Sequence, residues 1–98
     1  MNNNIQEKSE VLRSSLIAQV EELRMLYLTS DCTVSTYEKQ YKILKEVPFG
    51  NFKEAKRRIG NLRQSERTRQ IRVGNKWQRL CEGYEQIFGE PIPAHLQR

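Results

Sequence analysis

Apolar residues recur along this chain at helical spacing, and no stretch alternates as a strand would. Between residues 5 and 28, Ile5, Ser9, Leu12, Leu16, Gln19, Leu23 and Leu26 are separated by alternating steps of four and three. That is a heptad frame over three repeats, interrupted by two polar positions. A second path through the same stretch, Leu12, Leu16, Val20, Leu23 and Tyr27, is apolar throughout and suits a broader globular face. Asn4 with Glu7 forms a capping box before it. The pattern predicts a long amphipathic helix over 5–28, spanning about 36 Å at 1.5 Å per residue. Its apolar side either packs on the rest of the chain or forms a coiled-coil dimer or partner seam through Leu12, Leu16, Val20, Leu23 and Leu26.

The polar run Thr29–Thr33 reads as a break. Ser35 with Glu38 then opens a second helix to about Glu46, with Tyr37, Tyr41 and Leu44 on its apolar face and Val47 close behind. Pro48 ends it, because the residue before proline avoids helical geometry. Three Gly-Asn pairs follow, at Gly50-Asn51, Gly60-Asn61 and Gly74-Asn75. Glycine can close a helix in the left-handed conformation, and asparagine can start the next. They predict short helices at about 52–59, 62–73 and 76–88, or one helix over 52–73 running through Gly60. The last segment is the most amphipathic, with Trp77, Leu80, Cys81, Tyr84, Ile87 and Phe88 on one face and Gly89 as its stop. Pro91 and Pro93 predict an extended tail over 90–98. The expected fold is therefore all-α. It is a single small bundle of four to five helices over 1–98, with a long N-terminal helix, a short-helix region at 35–89 and a tail.

Charge changes this picture more than composition does. The 98 residues carry a net +5. Residues 1–52 sum to −1, residues 53–79 to +8 and residues 80–98 to −2. Ten cations in 27 residues repel one another unless they face water or a polyanion. On a helix, Lys53, Lys56, Arg63 and Arg67 share a flank bordered by Arg57, beside an apolar flank of Phe52, Ala55, Ile59 and Leu62. Arg63, Arg67 and Gln70 fall on one face that can reach bases or backbone, in the manner of a recognition helix or an arginine-rich segment. Arg69, Arg72 and Lys76 add backbone contacts. Phe52 and Trp77 read as core, whereas Phe49 sits in a turn where a ring can stack on a base.

Catalytic chemistry finds no support in the residues. The one histidine, His95, lies on the tail, and Cys32 and Cys81 are 49 positions apart without zinc-ligand spacing. Glu21, Glu22, Glu82 and Glu85 read as solvated helix-surface charges, and no phosphate-loop motif occurs. The expectation is a non-enzymatic nucleic-acid-binding protein with no cofactor, no metal and no small-molecule substrate. DNA and RNA remain equal alternatives. The competing expectation is a helical interaction module that docks on a larger partner, such as a nucleic-acid-processing enzyme. Without an export signal, a lipidation motif or a run of some 18 apolar residues, a cytoplasmic or nuclear location follows, with reduced cysteines.

Overall fold

A computed structural model describes residues 2–46 and 52–98. Two helices carry almost all of it, α1 over Asn2–Glu46 and α2 over Lys53–Phe88, followed by a single 3₁₀ turn, η1, over Ala94–Leu96. No strand occurs among the described residues. The all-helical expectation holds, but the expectation of four to five helices does not. The breaks read at 29–33, at Gly60 and at Gly74 each lie within a continuous helix.

Each missing break has a local cause. At 29–36, Thr33 Oγ1 donates to the Thr29 carbonyl and Thr36 Oγ1 to the Cys32 carbonyl, both at 3.0 Å. Hydroxyls that bond back one turn are accommodated inside a helix and need not cap it. Ser35 and Glu38 therefore sit mid-helix. Gly60 and Gly74 keep negative φ, and only Gly89, at φ +69°, adopts the left-handed conformation. Gly89 N–H donates to the Glu85 carbonyl at 2.8 Å, so α2 stops where the spacing predicts. At the other end of α2, Lys56 N–H donates to the Phe52 carbonyl at 2.8 Å. Val47, Pro48, Phe49, Gly50 and Asn51 lie outside the described residues, and with them the predicted proline stop, the first Gly-Asn pair and the stacking ring.

The chain divides into two compact units, each drawn from both helices. The first joins residues 1–26 to 73–98. Here α1 and α2 run in opposite directions. Val20 is fully buried, together with Trp77 and Tyr84. Arg13 Nη1 donates to Tyr84 Oη at 2.9 Å and pairs with Glu90, and its guanidinium lies 4.4 Å over the Phe88 ring. The tail is not extended, contrary to the sequence expectation. It folds back so that Ile92 and Leu96 are buried. Trp77 Nε1–H donates to the Leu96 carbonyl at 2.7 Å, and Gln97 Nε2–H to the Ile92 carbonyl at 2.9 Å. The prolines do shape this segment, but as a fixed turn into η1.

The second unit comprises residues 27–72. Val34 and Ser30 are its buried residues. A buried hydroxyl needs a partner, and Ser30 Oγ–H donates to Glu66 Oε1 at 2.7 Å. Polar groups then continue along the antiparallel seam: Gln70 Nε2–H donates to Asp31 Oδ1 at 3.0 Å, and Arg67 pairs with Glu38. Residues 62–73, which looked poor at burying a face, are held by these polar contacts in place of apolar ones.

A cationic depression beside Tyr41

Where α2 begins, four cations and one aromatic ring come together within the second unit. Tyr41, Lys53, Lys56, Arg57, Gly60 and Arg63 line an open depression of about 620 Å³, completed by Glu54 and Asn61. The Arg63 guanidinium lies 4.7 Å from the centre of the Tyr41 ring, and Lys45 Nζ lies 5.3 Å from it. Cations over an aromatic face are held by the ring quadrupole. Tyr41 is therefore engaged by its own chain and serves to place charge; it is not a free stacking surface. A Cβ at Gly60 would lie 3.8 Å from Tyr41 Cε2, an ordinary contact distance, so the packing here does not require glycine.

Glu54 is the one acid in the lining. It accepts from Arg57 Nη2 at 2.6 Å and from Arg58 Nε at 3.1 Å. Hydrogen bonds from Arg57 first, then Arg58, hold its carboxyl below the usual carboxylate range. Two guanidiniums share one carboxylate, so the cluster keeps a positive excess even at its acidic corner.

The nine cationic or polar residues selected from the sequence thus separate into three groups. Lys53, Lys56, Arg57 and Arg63 converge on the depression. Arg67 and Gln70 turn toward α1, occupied by Glu38 and Asp31. Arg63, Arg67 and Gln70 do share a face, but that face is the one packed on α1. Arg69 and Arg72 are exposed on the same unit, and Lys76 is exposed on the other. The seam positions Leu12, Leu16, Val20, Leu23 and Leu26 belong to the first unit, where Val20 is buried and Leu12 and Leu26 are exposed.

Two residues escaped the sequence reading of this site, Tyr41 in its lining and Lys45 beside the Tyr41 ring. Both lie on α1, outside the basic segment. Tyr41 reads there as an apolar-face residue, and only the pairing of α1 with α2 reveals its cationic neighbours.

The two units differ sharply in charge. Residues 27–72 carry eleven Lys or Arg against five Asp or Glu, a net +6; residues 1–26 with 73–98 carry six against seven, a net −1. No group of three His, Cys, Asp or Glu residues that could hold a metal ion occurs among the described residues. No described helix is long and apolar enough to cross a membrane. The chain matches no protein-family model, no curated protein and no solved structure.

Proposed function

We propose that this chain is a non-enzymatic nucleic-acid-binding protein whose second unit holds the phosphate backbone. The observation that carries the reading is the convergence of Lys53, Lys56, Arg57 and Arg63 on one open depression. A duplex or single strand presents a line of phosphates, and each one neutralised releases condensed counterions. Exposed Arg69 and Arg72 extend the same cationic unit along α2. Arg63, fixed over Tyr41, and Arg57, fixed on Glu54, are pre-oriented, so less side-chain freedom is lost on binding. The arrangement favours backbone contact over base reading, because the face suited to base edges is turned toward α1.

The test uses a labelled duplex DNA and a labelled single-stranded RNA with the full chain. Binding at low salt with a steep fall on adding salt is expected. Lys53→Glu with Lys56→Glu should weaken binding at least tenfold and reduce the salt slope by about two. Unchanged affinity in that variant, with helicity retained, removes the depression from the interface. Absence of binding to either polymer at low salt removes the function.

A further inference from the structure

In the first unit, α1 and α2 meet along two sides, and the tail covers only one. Ile92 and Leu96 are buried there, beside Trp77 and the half-buried Cys81. On α2, Val73, Leu80 and Ile87 recur every seven residues and lie to the other side of the Trp77–Tyr84 line, away from Cys81 and Phe88. On α1, Leu12, Leu16, Leu23 and Leu26 lie to one side of Val20, while Ile17 and Arg24 lie to the other. Because the helices run in opposite directions, these two apolar flanks face the same way. Ile87 is 56% exposed and Leu12 43%.

We propose that a second copy of this chain packs against that flank, closing a four-helix arrangement from two antiparallel helix pairs. Charge favours this occupant. The first unit has a net charge of −1, against +6 for the other, and Leu12, Leu16, Gln19, Leu23 and Leu26 carry none. Two copies can therefore meet along this flank without the repulsion that the cationic unit would impose. Spacing favours it as well. Val73, Leu80 and Ile87 recur every seven residues beside the buried Trp77–Tyr84 line, and Leu12, Leu16, Leu23 and Leu26 form a matching row beside Val20, so each helix carries a second apolar stripe at the spacing by which bundle helices interlock.

The experiment is a light-scattering and sedimentation measurement of the full chain after nuclease treatment and a high-salt wash. With no nucleic acid present, the result is independent of the proposed function. The expected mass is twice that of the chain. Leu12→Glu with Ile87→Glu alters exposed positions and should give a monomer with unchanged helicity, the dimer dissociation constant rising on the order of a hundredfold. Val11→Glu, on the opposite side of α1 and 69% exposed, should leave the dimer intact. Should the double variant lose helicity, Leu26→Lys decides the matter by the same mass measurement. A wild-type monomer at every concentration, a dimer that survives the flank substitutions, or equal dissociation by Val11→Glu overturns the proposal.

Discussion

At the residue scale, the tail is held by one well-made hydrogen bond among apolar contacts. Trp77 Nε1–H and the Leu96 carbonyl meet at 2.7 Å in a buried setting. Trp77→Phe keeps an aromatic ring but leaves that carbonyl with only the long Cys81 Sγ contact at 3.7 Å. The expected loss is about 1–3 kcal/mol, read by urea denaturation, with faster amide exchange over residues 92–97. The two thiols should also differ. Cys32 is exposed, whereas Cys81 is partly covered and its burial raises the thiol pKa. A maleimide titration near neutral pH should label Cys32 well before Cys81, since the thiolate is the reactive form. Equal rates would mean that the tail does not cover Cys81 in solution.

Glu54 gives the acid side of the same scale. Its folded pKa is lowered by hydrogen bonds from Arg57 and Arg58. A depressed carboxylate contributes stability above its unfolded pKa and loses it as pH falls through the folded value. The start of α2 should therefore fray in acid below the usual carboxylate range. Glu54→Gln should remove that pH dependence, as followed by the exchange rates of residues 56–60.

At the element scale, the glycines of α2 have three different meanings. Gly60 is a helical residue with room for a methyl group, since its nearest neighbour would be 3.8 Å away. Gly60→Ala should stabilise the chain by about 0.5–1 kcal/mol and raise the melting temperature, because alanine loses less backbone entropy on folding. Gly74 is buried against the tail, and a Cβ there would lie 2.7 Å from the Arg98 guanidinium. Gly89 alone needs positive φ, so Gly89→Ala should cost about 1 kcal/mol or more in the same thermal assay. From sequence, all Gly-Asn pairs looked alike. The caps they offered at Gly60 and Gly74 were overridden because α1 lies alongside. Ser30, Asp31, Glu38 and Tyr41 supply contacts that reward continuing the helix over ending it.

At the scale of the whole molecule, charge separates by unit, which the linear block of +8 only partly anticipated. Lys39, Lys42 and Lys45 of α1 join the basic stretch of α2 in the second unit, while Lys76 and Arg79 fall in the first. Self-repulsion within a unit of net +6 is screened by salt. Adding salt from low to moderate ionic strength should therefore slow amide exchange across 27–72, while leaving 1–26 and 73–98 nearly unchanged. Uniform slowing throughout would indicate a general effect on burial instead.

The helical class, the end of α2 at Gly89 and the concentration of charge at 53–79 were determined by residues read in order. Each depends on local propensity or on simple counting, and neither needs a partner. Pairing required the tertiary structure. It merged the expected short helices into two, because contacts from α1 outweighed the local caps. It turned Arg63, Arg67 and Gln70 toward α1, because helical spacing defines a face but not what that face meets. It brought Tyr41 beneath Arg63, folded the tail onto Trp77, and left the flank of Leu12 and Ile87 bare. Periodicity can mark a side chain as apolar or cationic; which neighbour it meets across the chain is decided only when two distant helices come into register.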